Sequence, residues 1–178
     1  CIYIGSDDGT LYCLSMAGKS LWTFKSKFTI EGAPLYHGNS VYFGNYDGQV
    51  FALDAKTGKQ RWMVQTEGQI SGSPNYVITG NKKKIIIGSY DYFLYCIDDA
   101  TGKIDWKYET NNYVNCTPSV SGNLSVFGGC DGSLHVVDLL KGSAKHQINS
   151  STYIASSTTL SGNQAFLGDY DGAFFCVD

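Results

Sequence analysis

Three histidines, six cysteines and sixteen carboxylates are the residues of this chain that could carry acid–base, nucleophilic or metal chemistry. The histidines lie far apart, and no spacing joins one of them to a particular serine or cysteine as a nucleophile–base pair would require; they are His37, His135 and His146. Four carboxylates recur at equivalent positions of an internal repeat: Asp54, Asp98, Asp138 and Asp178. Recurrence spreads them through the molecule, whereas a catalytic centre needs a convergent, asymmetric set. We therefore predict no catalytic residue and no metal ligand.

The cysteines are also placed by the repeat. Cys13, Cys96 and Cys176 occupy one repeat position and would lie too far apart to bridge, so we interpret them as small packed apolar residues. Two disulfides remain open: antiparallel turns would bring Cys116 near Cys130 and Cys1 near Cys13. No Cys-x-x-Cys or Cys/His spacing indicates zinc.

The repeat consists of an apolar triplet that ends in glycine, then Asp-Gly, then an aromatic-rich segment. The anchoring glycines are 39, 44, 40 and 40 residues apart; they are Gly5, Gly44, Gly88, Gly128 and Gly168. A period near 40 residues is typical of propeller blades rather than of shorter solenoid units.

One complete unit, from about Ile70 to Glu109, divides into four short strands separated by turn residues. The expected strands are 73–78, 85–88, 93–98 and 104–108, and no helical periodicity appears. Four antiparallel strands in about 40 residues make one blade, so we predict an all-β propeller with about 4.4 repeats. We expect one domain over 1–178, with repeats at approximately 1–29, 30–69, 70–112, 113–152 and 153–178.

The recurring turn and aromatic residues are interpreted as structural. Asp-Gly pairs suit tight hairpins, although Asp91-Tyr92 breaks this rule and should strain or alter its turn. Asp54, Asp98 and Asp138 are placed to accept hydrogen bonds from turn N–H groups. Large aromatic residues stand four positions after a turn glycine and should pack between blades: Trp22, Trp62 and Trp106, with His146 in the fourth repeat.

Composition excludes some partners. The net charge is −3 and the charges are mixed, so no basic footprint exists for nucleic acid or anionic lipid. The one run of like charge, Lys82-Lys83-Lys84, is expected to be a solvated hairpin tip. No segment has the roughly 18 apolar residues needed to span a bilayer.

These features together resemble the pyrroloquinoline-quinone-like propeller repeat, whose pattern couples an Asp-Gly hairpin, a strand ending in Leu-Asp, an Ala-x-Thr-Gly-Lys turn and a tryptophan. Residues 49–62 match it almost throughout, and Leu94 to Trp106 match nearly as well. Departures occur at Ser15, Tyr92, His146 and Thr158, where we would look first for function.

The resemblance leaves several functions open. One branch contains quinoprotein dehydrogenases, for which it implies bound quinone and calcium, an adjacent-cysteine disulfide, an aspartate base and Glu/Asn calcium ligands; no adjacent cysteines occur here. Another contains noncatalytic BamB-type outer-membrane assembly propellers. Such repeats are also appended, as sensory modules, to kinases or adenylating enzymes.

We expect the noncatalytic branch: a scaffold, without cofactor, that binds a protein or peptide through loops at a ring face. The tyrosines expected to be exposed are Tyr46, Tyr90, Tyr113, Tyr153 and Tyr170; Tyr46, Tyr90 and Tyr170 follow anchoring glycines by two residues and are the predicted partner-binding set. By resemblance, the location would be the cell envelope, with membrane attachment through a lipoprotein signal outside these residues. Because the first and last repeats are incomplete, we also expect a fragment of a seven- or eight-bladed ring.

Overall fold

Eighteen strands and no helices make up the part of the chain that the computed structural model describes, residues 1–150, 152–154 and 156–178. Every strand pairs antiparallel with its neighbour in sequence, giving five separate sheets. The first and fifth sheets have three strands and the other three have four, in line with the successive four-stranded units that the repeat predicts.

The first two sheets occupy the N-terminal third of the chain. The first contains β1 (Ile2–Ile4), β2 (Thr10–Leu14) and β3 (Ser20–Lys25). The second contains β4 (Leu35–His37), β5 (Ser40–Gly44), β6 (Gln49–Asp54) and β7 (Gln60–Gln65).

The remaining three sheets follow in the same order. The third contains β8 (Asn75–Thr79), β9 (Lys82–Gly88), β10 (Phe93–Asp98) and β11 (Ile104–Glu109). The fourth contains β12 (Ser119–Ser121), β13 (Leu124–Gly128), β14 (Ser133–Asp138) and β15 (Ser143–Asn149). The fifth contains β16 (Thr159–Ser161), β17 (Gln164–Gly168) and β18 (Phe174–Val177).

The core lies between successive sheets, because the middle strands are apolar on both faces and bury both. All five residues of β5 are buried, and so are the central four of β6 and β10. Four apolar clusters fill the four spaces between the five sheets. The cluster between the second and third sheets, for example, brings Tyr42 and Trp62 against Ile85 and Tyr95.

The lysine run is a correction to the sequence-based expectation. It begins β9 instead of forming a solvated hairpin tip. Lys84 is buried, with its ammonium group paired to Asp98 and Asp105, and Lys83 pairs with Asp99 at 3.1 Å. The run is therefore a structural part of the third sheet.

Candidate functional site

The candidate site lies along one edge of the row of sheets, which we call the loop edge. It is formed by the hairpins that join second to third strands (5–9, 45–48, 89–92, 129–132 and 169–173) and by the loops between sheets (26–34, 66–74, 110–118 and the described part of 150–158). The opposite edge, which we call the turn edge, carries the turns between first and second strands and between third and fourth strands.

Backbone hydrogen bonds join each hairpin of the loop edge after the first to the inter-sheet loop that precedes it. The N–H of Tyr46 donates to Thr29 O, and the N–H of Tyr90 donates to Gln69 O. The N–H of Tyr170 repeats this bond with Tyr153 O at 2.9 Å. The three predicted partner-binding tyrosines thus make equivalent backbone hydrogen bonds and lie on the same edge.

Their side chains differ in environment. Tyr46 is 38% exposed and its hydroxyl donates to Glu31 at 2.8 Å, whereas Tyr170 is 78% exposed. Tyr90 is half-buried and stacks on Tyr113, with ring centroids 4.7 Å apart. Among the described residues no ring contact joins the three, so they are separate points along the edge.

Two further aromatic residues lie on this edge outside the predicted partner-binding set: Tyr92, which was marked from the sequence as a departure where function should be sought, and Phe28, which was missed. Tyr92 is 42% exposed and its ring lies 5.4 Å from that of Tyr113. It has a φ of 77°, in the left-handed region that glycine occupies in the other hairpins, so the turn keeps its shape and the tyrosine bears the strain. Phe28 is 43% exposed in the first inter-sheet loop. Counting aromatic residues by loop rather than by repeat position would have found Phe28 as well.

Four of the five anchoring glycines lie where the end of a second strand meets the inter-sheet loop that follows its own sheet. An added Cβ would come within 2.1 Å of Ile70 at Gly44 and within 2.0 Å of Ile154 at Gly128. The same position meets Ile30 at Gly5 and Val114 at Gly88, both within 2.5 Å. At Gly168 the nearest atom is 3.7 Å away, so that position alone has room for a methyl group.

Each tryptophan contacts the sheet that follows its own. The indole N–H of Trp22 donates to Ala55 O at 3.1 Å, that of Trp62 to Asp99 O at 2.7 Å, and that of Trp106 to Leu139 O at 3.2 Å. All three acceptors lie in third-to-fourth-strand turns, and the rings cover the glycines of those turns, Gly58, Gly102 and Gly142. These indoles therefore bridge neighbouring sheets, as the repeat predicted.

The aspartates of the turn edge order those same turns. Asp54 accepts hydrogen bonds from the backbone N–H and hydroxyl of Thr57 and forms an ion pair with Arg61 at 2.8 Å. Arg61 first, then Thr57, lowers the pKa of Asp54 to about 2. Asp98 has the same pKa, about 2, because Lys84 and then Thr101 stabilise its charged form. Asp138 accepts from the N–H of Leu140 at 2.9 Å.

Two of the four departures from the repeat have local structural roles. Ser15 Oγ accepts from the N–H of Lys19, as a turn aspartate would. Thr158, where other repeats have proline, is buried and donates to Val126 O at 2.7 Å. His146 is exposed on β15 and lines a groove of about 480 Å³ between the fourth and fifth sheets. Tyr92 is the departure that lies on the loop edge.

A buried chain of titratable groups links the third sheet to the fourth. Tyr108 Oη lies 3.0 Å from His135 Nδ1, and His135 Nε2 lies 3.1 Å from Asp131 Oδ2. Only 1% of the His135 side chain and 4% of the Asp131 side chain are exposed. Burial, followed by the charge of Asp131, raises the pKa of Tyr108. Because these atoms are buried, the hydrogen bonds satisfy buried polar groups and anchor the hairpin at Asp131.

All six cysteines are free thiols, so neither of the two open disulfides forms. Cys116 lies in the core between sheets and donates to Gly128 O, away from the half-buried Cys130. Burial raises the pKa of both Cys96 and Cys116 to about 12, which makes them poor nucleophiles.

Other kinds of site were sought among the described residues. No three His, Cys, Asp or Glu side chains in that part of the chain come together in a way that could hold a metal ion. The same part has no helix long and apolar enough to cross a membrane.

Similarity to solved structures identifies the fold. The chain superimposes over 98% of its length on BamB from Moraxella catarrhalis, with a TM-score of 0.80 and 20% identity, and covers 56% of that structure. It matches the computationally designed protein Ika8 equally widely, with a TM-score of 0.84 and 19% identity, and covers 54% of it. Together with the five sheets, these matches confirm the predicted all-β propeller.

The family follows from sequence. The family model described as "Outer membrane protein assembly factor BamB" matches residues 1–89 and 70–178, which together span the chain. The chain therefore belongs to this family of propellers, as the resemblance of its repeats predicted.

Curated relatives match shorter stretches and differ in kind. The dehydrogenase subunit of a quinone alcohol dehydrogenase from Gluconobacter oxydans is 36% identical over 77 residues, which is 35% of this chain and 10% of that protein. The serine/threonine-protein kinase AfsK from Streptomyces griseus is 33% identical over 86 residues, 45% of this chain and 11% of the kinase. The chain thus spans only about a tenth of the length of these relatives.

Proposed function

We propose that this propeller is a noncatalytic scaffold that binds a protein partner through its loop edge. The observation that supports this most strongly is the exposure of aromatic side chains on that edge. Tyr153 and Tyr170 are 55% and 78% exposed, and Tyr46, Tyr92 and Tyr113 are each about two-fifths exposed. Exposed tyrosines on a rigid framework supply contact area at a low cost in conformational entropy, which is why binding surfaces are rich in them.

The rest of the molecule supports the same proposal. The turn edge is occupied with internal contacts, since its turns receive the tryptophans of the preceding sheets. The titratable groups at Asp54, Asp98 and His135 are likewise engaged in local hydrogen bonds. Loops held by a regular framework are where binding residues concentrate. The family further supports a location in the cell envelope.

A photo-cross-linking experiment tests the binding edge. A photoreactive amino acid is placed at Tyr46 or at Tyr170 in the full-length protein, and at Tyr36 as the control, because Tyr36 is 55% exposed beside a turn of the opposite edge. We expect discrete protein adducts from the first two positions and none from the third. Adducts from Tyr36 alone, or from no position, would contradict the proposal.

A quinone-dependent dehydrogenase is the second candidate, because several curated relatives are named as such enzymes. The described residues include no carboxylate cluster suited to calcium, so any such centre would use residues elsewhere in a longer protein. The test is to add the quinone and calcium to the full-length protein and follow chromophore binding and dye reduction. Activity in that assay would replace the scaffold proposal with this one.

The similarity to the kinase AfsK supports a third arrangement, a sensory propeller joined to a catalytic domain. Its test is the reading frame that surrounds these residues. A kinase domain in the same frame would assign the loop edge to signal reception, whereas a lipoprotein signal would assign it to the envelope scaffold.

A further inference from the structure

The two edges of this propeller differ in both charge and aromatic content. Between strands, the loop edge contains nine carboxylates and one lysine, a formal charge of −8, whereas the turn edge contains one carboxylate and five lysines, a formal charge of +4. All seven aromatic residues that lie between strands are on the loop edge: Phe28, Tyr46, Tyr90, Tyr92, Tyr113, Tyr153 and Tyr170. The overall charge of −3 conceals this division.

Several of the loop-edge carboxylates have no internal role. Three others do have one, because Glu31, Asp91 and Asp131 are hydrogen-bonded to the side chains of Tyr46, Tyr95 and His135, respectively. In contrast, four exposed side chains make no carboxylate hydrogen bond or ion pair within the described structure: Asp7, Asp47, Glu67 and Asp171. These four lie in the first, second and fifth hairpins and in the second inter-sheet loop. The carboxylates that make no internal bond are therefore distributed along the edge.

Resting on the proposed scaffold function, we propose that the partner segment is an extended, arginine-bearing polypeptide that crosses several hairpins of the loop edge. Carboxylates would pair with its guanidinium groups, and the tyrosine faces would stack against them. A negative edge also accelerates the encounter with a cationic chain and repels nucleic acid and anionic lipid. Because the aromatic and acidic groups lie on successive hairpins and loops, one small cation could engage only a fraction of them.

Fluorescence anisotropy with defined peptides tests this partner chemistry. The probes are labelled peptides of alternating arginine and serine, lysine and serine, or glutamate and serine, each added to the full-length protein. We expect the arginine peptide to bind most tightly, the lysine peptide more weakly and the glutamate peptide not at all. Raising the salt from about 0.05 M to about 0.3 M should weaken binding, because exposed charges are screened.

Two variants locate the interaction. Asp7→Asn, Asp47→Asn, Glu67→Gln and Asp171→Asn together should weaken binding about tenfold, since each exposed ion pair contributes a factor of roughly two. The control is Lys19→Gln, Lys56→Gln, Lys59→Gln and Lys103→Gln on the turn edge, which also changes four charges and should not weaken binding. As the four carboxylates make no internal bond, circular dichroism and the melting temperature should show an intact fold.

The aromatic contribution has its own comparison. Tyr113→Ala with Tyr170→Ala should weaken arginine-peptide binding about fivefold, as expected for two exposed cation–π contacts. Tyr36→Ala, on the other edge, should leave it unchanged. A double substitution that weakens the lysine peptide more than the arginine peptide would contradict the stacking role.

The outcomes separate this inference from the scaffold proposal. Equal affinity for arginine and glutamate peptides, or wild-type affinity in the four-carboxylate variant, overturns the cationic partner. Binding of a neutral oligosaccharide in place of the peptides would do the same. If cross-links from Tyr46 and Tyr170 then persist in the four-carboxylate variant, the edge still binds a protein and only the proposed partner chemistry fails.

Discussion

Replacing Gly44 by alanine provides a quantitative test of how the sheets dock. The new Cβ would lie 2.1 Å from Ile70 Cγ2 and 2.5 Å from Ile70 Cβ, and Ile70 is fully buried. Carbon atoms pack best at about 3.5–4.0 Å, so the isoleucine and its backbone must retreat by roughly 1.5 Å. Overpacking of this kind costs about 1–3 kcal/mol, and we take about 3 kcal/mol because the clash includes the Cβ atom.

The chain contains its own control. Gly168 has the same place in the repeat, but its nearest neighbour is 3.7 Å away and its φ is not positive. Gly168→Ala should therefore change the free energy of unfolding by about zero to +1 kcal/mol, through the reduced entropy of the unfolded chain.

Thermal and urea unfolding of the 178-residue chain would measure both variants. At about 2–4 °C per kcal/mol for a protein of this size, Gly44→Ala should lower the melting temperature by about 6–12 °C, and Gly168→Ala should leave it unchanged or slightly higher. Gly128→Ala, whose Cβ would meet Ile154 at 2.0 Å, should behave like Gly44→Ala. Equal shifts at Gly44 and Gly168 would refute the docking argument.

Three other substitutions test separate features. Tyr92→Gly should raise the free energy of unfolding by about 1 kcal/mol in urea titrations, because it relieves a non-glycine φ of 77°; a decrease would mean that ring packing outweighs the strain. Trp62→Ala should cost about 3–5 kcal/mol, whereas His146→Ala, on an exposed strand, should cost less than about 0.5 kcal/mol, and similar losses would contradict the inter-sheet role of the indole. The pKa of Asp98, lowered from 3.8 to about 2 by Lys84 and Thr101, means that this carboxylate stabilises the fold above its unfolded pKa and ceases to do so as the pH falls towards 2. Asp98→Asn should therefore flatten the fall of the urea midpoint between about pH 5 and pH 2, and an unchanged slope would exclude that contribution.

The repeat made the fold predictable. The apolar triplets ending in Gly44 and Gly88, and the tryptophans at a fixed distance from turn glycines, each specify a local structure and agree with one another. Agreement between local and global signals is what a minimally frustrated sequence provides.

Side-chain contacts between residues far apart in the sequence could not be predicted from the repeat. Lys84 is buried because Asp98 and Asp105, 14 and 21 positions later, meet its ammonium group, and local composition contains no sign of this. The buried link from Tyr108 through His135 to Asp131 likewise joins neighbouring sheets and depends on their docking. The candidate site could be predicted in part, because its tyrosines follow the repeat. The difference in charge between the two edges could not, because it appears only when each loop is assigned to an edge.

The contact between each indole and the following sheet sets the order in which the sheets can be completed during synthesis. Trp22, Trp62 and Trp106 donate to carbonyls that lie 33, 37 and 33 positions later in the chain. At about 5–20 residues per second on the ribosome, each newly made sheet waits roughly 2–7 seconds for the turn that will cover its indole. During synthesis, therefore, one apolar sheet face is always open at the growing end, and each later segment closes it while opening the next.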